Sequence, residues 1–278
     1  MAQEFFFGCE EKGGTGTLLP PYATENTLEM VLVSRGTVAV TSAMASFEAG
    51  EGELFFLPPQ LVRTVEARNG FAAVRSIRFS CDLFEGMGEK IDNDLFYMFL
   101  IQSRNRRYRI LPESPLYTPV RTYFEDCYGE YLSRELCYGL RIRGQLTLMM
   151  ALILSSYGTT RENDRIVYHN VLRLRPALDY IDTHFEEKIT VSLLADLLSV
   201  TPDYFTKLFR DSIGRTTVDY INAVRINRAM YDLLSTSLPV SEIAVRVGLG
   251  NGNYFSKVFR KSLGIQPLAF RRAAKKTV

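Results

Sequence analysis

A twelve-residue pattern occurs twice in this chain, fifty positions apart, and limits what the second half can fold into. The first copy is Asp203-Tyr204-Phe205-Thr206-Lys207-Leu208-Phe209-Arg210-Asp211-Ser212-Ile213-Gly214. The second is Asn253-Tyr254-Phe255-Ser256-Lys257-Val258-Phe259-Arg260-Lys261-Ser262-Leu263-Gly264. Self-similarity at constant offset marks one supersecondary unit made twice. In each copy the apolar residues fall at i, i+3 and i+4, which places Phe205, Leu208 and Phe209, and likewise Phe255, Val258 and Phe259, on one stripe of a helix. Lys207 and Arg210, and Lys257 and Arg260, fall on the opposite side. Gly214 and Gly264 stand where a helix ends on a left-handed residue. A lone copy reads equally well as an amphipathic helix with a solvated basic face. Two copies, each preceded by a second short helix, read as paired helical units.

The flanking residues carry helix punctuation. Thr190 is placed to cap a short helix holding Leu193, Leu194, Ala195 and Leu198. Ser199-Val200-Thr201 reads as a turn, and Pro202 suits the first position of the next helix. Thr216 and Asp219 have the spacing of a capping box. They open a long helix through Ile221, Val224, Ile226, Met230 and Leu233, which would hold the two units apart. Pro239 ends that connection, and 241–248 is the short helix of the second unit. Ala195 and Ala244 lie nine and ten residues before each tyrosine, where a small side chain lets two helices cross closely. The one-residue difference falls in the turn.

At 278 residues the chain has room for two domains, and 46% hydrophobic residues suffice for a sizeable core. The total charge of +2 hides an uneven distribution. Residues 240–278 hold eight Lys/Arg against Glu242 alone, a net +7, so the remainder carries −5. A basic segment on an acidic chain points to a polyanionic partner. A basic tail would explain Arg271 to Lys276, but not Lys257 and Arg260 within a helix.

The first 85 residues or so read as short strands: 28–33, a turn at Arg35-Gly36, a return over 37–41, then 54–57 stopped by Pro58-Pro59, and 71–79. Turn signals every eight to twelve residues suggest a sandwich or barrel. From Ile91 the period becomes helical. A helix is expected over 92–102, then two over 117–157, with stripes Leu132, Leu136, Leu140 and Leu146, Met149, Met150, Ile153 packed on the barrel. Residues 158–164 read as a linker. Cys9, Cys81, Cys127 and Cys137 form no C-x-x-C pair and read as reduced thiols of a cytoplasmic protein. No signal peptide is read at the start, and the run Leu146–Leu154 is too short for a bilayer, which takes about 20 residues.

The strand, Gly36 turn, strand and Gly52-Glu53-Leu54-Phe55-Phe56-Leu57-Pro58-Pro59 resemble the small cupin barrel at the front of many AraC-type regulators. Metal-holding cupins use several His and a Glu. Here His169 and His184 both lie outside the barrel region, and Glu29 alone cannot assemble a metal site, so no metal, no cofactor and no catalytic residue is expected. Arg75 would share a strand face with Phe71, Ile77 and Phe79. If that face lined the barrel, Arg75 could meet a carboxylate or phosphate effector; otherwise it is solvated or salt-bridged.

Glu242-Ile243-Ala244, Val247-Gly248-Leu249, the second repeat copy, Gly264-Ile265-Gln266-Pro267 and Phe270-Arg271 together resemble the AraC/XylS signature over about forty residues. Asn251 stands where the family usually has an acidic residue, and Asn253 where it has a small hydroxyl. The resemblance implies an α+β chain: a cupin-like barrel over 1–110, a helical dimerisation and linker region over 111–160, and a double helix-turn-helix domain over 166–278. It implies double-stranded DNA as partner, with a small-molecule effector, RNA polymerase and a second protomer as further partners, and no membrane. Thr206, Lys207, Asn253 and Lys257 are then the base-reading candidates, with Asn251 and Ser256 beside them, and Arg210, Arg260 and Lys261 are placed for phosphates. Residues 171–239 sum to −1 and include Asp203, so the second unit is expected to carry more of the phosphate affinity. Two other readings are a regulator that responds to no ligand, and a cupin enzyme with a helical interaction module, which the shortage of His disfavours.

Overall fold

The structure is a computed structural model that describes residues 7–22, 26–84, 90–105, 109–159 and 162–275. It is an α+β fold with an N-terminal antiparallel sheet and a helical C-terminal half. The strands are β1 (Phe7–Gly14), β2 (Thr17–Tyr22), β3 (Thr27–Ser42), β4 (Ser46–Ala49), β5 (Leu54–Leu57), β6 (Arg63–Ser80) and β7 (Arg109–Ile110). They join in the order β1-β6-β3-β5-β7, with β2 added on β6 and β4 on β3.

Arg35-Gly36 does not turn the chain back. β3 runs through it as a single strand, paired with β6 from Thr27↔Ser80 to Ser42↔Arg63. The register jumps from Arg35↔Ala73 to Thr37↔Arg68, so the apparent turn is a bulge. Gly36 sits at φ +72°, and a Cβ there would stand 2.5 Å from the Phe71 carbonyl oxygen. Glycine is needed for that close approach, not for a reversal. β6 correspondingly begins at Arg63, eight residues before the strand expected there.

The sheet, hereafter the barrel, packs one face into a core of Val31, Val33, Val40, Phe55, Leu57, Val65 and Val74. Glu29 and Arg63 lie on this same face, are both buried and form an ion pair with each other. Removing either partner would strand a charge away from water. The opposite face, carrying Leu28, Met30, Leu32, Ile77 and Phe79, is covered by α1 (Lys90–Asn105), α2 (Tyr117–Ser133) and α3 (Tyr138–Thr159). Arg75 does share a face with Ile77 and Phe79, but this is the helix-covered face. Its guanidinium meets Glu125 of α2 at 3.0 Å and Glu11 at 3.6 Å, and lies over the Tyr128 ring. Two carboxylates already neutralise it, so the expected effector contact at Arg75 is withdrawn.

Leu146, Met149, Met150 and Ile153 of α3 are buried against the sheet. Leu132, Leu136 and Leu140 are not: the connection between α2 and α3, with Arg134 and Cys137 at positive φ, breaks their register and leaves them 66%, 89% and 72% exposed. The expected linker over 158–164 is mostly helix. α3 continues to Thr159 and α4 (Glu162–Thr183) begins three residues later, so only 160 and 161 fall outside the described residues.

The C-terminal half continues as α5 (Val191–Leu197), α6 (Pro202–Ile213), α7 (Thr217–Ser235), α8 (Val240–Arg246), α9 (Gly252–Leu263) and α10 (Pro267–Lys275). The barrel sits directly on α7. Met44 and Leu61 join the core around α4, α6 and the start of α7, and Ala43 and Val62 join the core around α8 and α9. Between these contacts Asn227 of α7 accepts a hydrogen bond from the Val62 amide at 2.8 Å and donates one to the Gln60 carbonyl. Arg215 donates to the Met44 carbonyl. Outside α7, a half-buried Arg104–Asp182 pair at 2.9 Å ties α1 to α4.

Candidate nucleic-acid interface

The two repeat copies are α6 and α9, and each is built by the same local chemistry. Thr201 caps α6 by accepting from the Tyr204 amide, with Pro202 in the first turn. Asn251 caps α9 by accepting from the Asn253 amide at 2.9 Å. Both helices end on a left-handed glycine, Gly214 and Gly264. The buried stripe repeats as well. Phe205 and Phe209 lie 5.6 Å apart, as do Phe255 and Phe259. Phe209 then meets Tyr220 edge-on at 5.5 Å, and Phe259 meets Phe270 at 5.7 Å.

Each of these helices follows a short helix that crosses it through a fully buried alanine, Ala195 of α5 and Ala244 of α8. In the first unit the turn uses one residue at positive φ, Ser199; in the second it uses two, Gly248 and Gly250. Gly250 is the extra residue that makes the second spacing ten. Gly248 also packs against the chain at Glu186, where a Cβ would stand 2.5 Å from a carbonyl oxygen. α7, opened by the Thr216–Asp219 capping box, spans between the units.

With the phenylalanines turned inward, the cations face out. Lys207 and Arg210 of α6, and Lys257, Arg260 and Lys261 of α9, are exposed, and none of the five forms an ion pair among the described residues. This contrasts with the barrel, where Arg63, Arg75, Arg78 and Arg109 all meet carboxylates. Thr206 is exposed, though its hydroxyl donates to the Pro202 carbonyl at 2.9 Å, which leaves it only as an acceptor. Asn253 is exposed and Ser256 half-buried. Asn251 is exposed too, but its carbonyl oxygen is engaged by the cap, so its amide N–H groups are what remain for a partner. Lys257 and Lys261 line one side of an open groove of about 320 Å³, with Arg215, Asn222 and Tyr254 along it and Ala43 of the barrel at its edge.

The charges on the two helices are unequal. α6 carries Lys207 and Arg210 against Asp203 and Asp211, a net of zero, while α9 carries Lys257, Arg260 and Lys261 with no acid, a net of +3. The sequence reading missed the exposed tyrosines at identical places in the two units, Tyr204 at 45% and Tyr254 at 49%. Their recurrence was the available signal.

A family model described as a helix-turn-helix domain matches residues 194–273, from α5 into α10. The bifunctional transcriptional activator/DNA repair enzyme AdaA of Bacillus subtilis (strain 168) is 37% identical over 97 residues, which cover 35% of this chain and 46% of that protein. The arabinose operon regulatory protein of Escherichia coli (strain K12) is 29% identical over 107 residues, covering 38% of this chain and 37% of that one. The chain spans less than half the length of the curated relatives it matches. Among solved structures, ToxT from Vibrio cholerae aligns over 97% of this chain and 98% of its own, with a TM-score of 0.55 and 13% identity. That likeness is one of fold. No helix among the described residues is long and apolar enough to cross a membrane.

Proposed function

We propose that this chain, whose C-terminal half is similar to AraC/XylS-type helix-turn-helix domains, is a sequence-specific DNA-binding transcriptional regulator. The observation that carries this reading is the pair of like-built helices, α6 and α9, whose outward cations are left without acidic partners. A helix about 10 Å across fits the major groove, and its exposed side chains read base edges there. Lys207, Thr206, Asn253 and Lys257 are the base-reading residues in this proposal, assisted by Asn251 and Ser256. Arg210, Arg260 and Lys261 bind phosphates, which supply affinity without sequence information. Two units on one connecting helix would enter successive major-groove turns, ~10 base pairs apart, and read a directional site without a dimer.

Selecting bound sequences from random DNA with the purified protein tests this. A directional motif with two conserved blocks about one turn apart is expected; recovery of no motif would sink the reading. Repeating the selection with a metabolite extract tests the effector. A cleft of about 200 Å³ between the barrel (Thr17, Thr64, Glu66) and the second unit (Met230, Ile265, Phe270) supports a site for a small molecule that would link the two halves.

Pairing of two protomers belongs to the same proposal, and α3 supports it. Its outer side presents Leu140, Gly144, Thr147, Leu148 and Ala151, an uncharged stripe with Leu148 55% exposed. A second copy laid along this stripe would bury it symmetrically. Leu148→Glu should then shift the protein to monomer in sedimentation at micromolar concentration. If the wild type is already monomeric there, pairing through α3 is excluded. RNA polymerase is the remaining partner proposed, as the contact an activator bound at a promoter would make.

A further inference from the structure

The first unit has a deficit that its own helix does not make good. With Asp203 and Asp211 offsetting Lys207 and Arg210, α6 brings no net charge to a DNA backbone. Two arginines of α4 lie close by, and they are held differently. Arg175 is committed to α1 and its own helix: its guanidinium meets Asp94 at 3.4 Å and Asp179 at 3.6 Å and lies over Tyr97. Arg173 is exposed and has no carboxylate within ion-pair distance among the described residues. What holds it is Tyr204 of α6. Arg173 donates to the Tyr204 hydroxyl at 3.0 Å, and its guanidinium carbon lies 5.2 Å from the centre of the same ring. A neutral aromatic partner orients the guanidinium without cancelling its charge.

The pair opens onto a shallow concavity at the surface that also includes Ser199 and Thr201 of the turn. Asp196 lines it too, but makes no ion pair with Arg173. Among the described residues of the second unit no arginine is held this way. Arg225 of α7 spends its donors on the carbonyls of Phe185 and Glu187, both at 2.7 Å, and the cations are on α9 itself. The two units therefore differ in where their positive charge sits.

We propose that Arg173, held by Tyr204, is a phosphate-binding residue of the first unit, supplying from α4 the anchoring charge that α6 lacks. This rests on the DNA-binding reading above. A guanidinium binds phosphate through paired N–H donors, and one already held in place loses less conformational freedom on binding. The contact fixes where the first unit sits on the duplex and carries no base information.

The test measures affinity by fluorescence anisotropy on a mixed-sequence duplex of about 24 base pairs, over a series of salt concentrations. One phosphate contact contributes about 0.9 to the slope of log affinity against log salt. Arg173→Gln should flatten the wild-type slope by about that amount. Arg173→Lys should keep the slope, because it keeps the charge, while binding less tightly. Tyr204→Phe should also keep the slope and weaken binding, since it loosens the guanidinium without removing it. If Arg173→Gln leaves the slope unchanged, with or without a loss of affinity, Arg173 only packs against Tyr204 and the proposal fails. If the wild type itself does not bind duplex, it is the DNA-binding reading that fails, and the wild-type curve alone reveals this.

Discussion

Lys257→Ala should weaken binding to the selected site by about 5- to 150-fold, corresponding to about 1–3 kcal/mol for a lost base contact. On random duplex the same variant should lose only the share owed to one charge. Lys257 is exposed near the middle of α9, without an acidic partner, and lies along the groove that runs toward Arg215. A lysine that reads a base and one that only touches phosphate differ in this comparison: the first loses specificity, the second loses affinity evenly. Equal losses on both duplexes would move Lys257 to the phosphate-binding group and leave Asn253 as the chief reader in the second unit.

Phe259→Ala should have the largest effect on stability. The ring is fully buried between Phe255 and Phe270, at the point where α9 and α10 close over α7 and α8. Truncating a buried phenylalanine costs about 3–5 kcal/mol through lost transfer energy and the cavity left behind. Against a total of about 5–15 kcal/mol for a folded domain, this is enough to unfold the second unit over part of the working range. A fall in thermal midpoint of at least about 10 °C is expected. Loss of specific DNA binding should accompany it, with the barrel's circular dichroism signal retained. A midpoint unchanged from wild type would mean the second unit has no closed core around this ring. Phe259→Leu, which keeps most of the volume, should sit between the two.

The parts of the fold that depend on near neighbours were legible in the sequence. Thr190, Thr216 and Pro202 start helices where their spacing places them, and Gly214 and Gly264 end them. These features act within four residues, so a single stretch of chain contains them. Features that depend on a distant strand were not legible. Gly36 reads as a reversal because glycine serves turns and bulges alike; only pairing with β6 shows that the strand continues. Alternation put Arg75 correctly beside Ile77 and Phe79, yet period two does not say which side of a sheet is the interior. Glu29 is weighed alone as a metal ligand, because the partner that neutralises it, Arg63, stands 34 positions further along the chain. At the interface, the repeat identified α6 and α9 and their outward cations. It could not supply Arg173, which belongs to neither copy and reaches Tyr204 only because α4 packs on α6.

This build bears on how the chain can change over generations. Of the nineteen residues of α7, only Val218, Asp219, Tyr231 and Ser235 are exposed; the rest are buried or half-buried against the two helical units and the barrel. The outer sides of α6 and α9 have no such cover. Retargeting to a new operator is open to substitution one residue at a time, whereas any drift in α7 must satisfy three neighbours at once. The chain can thus acquire new addresses while its internal axle stays nearly invariant.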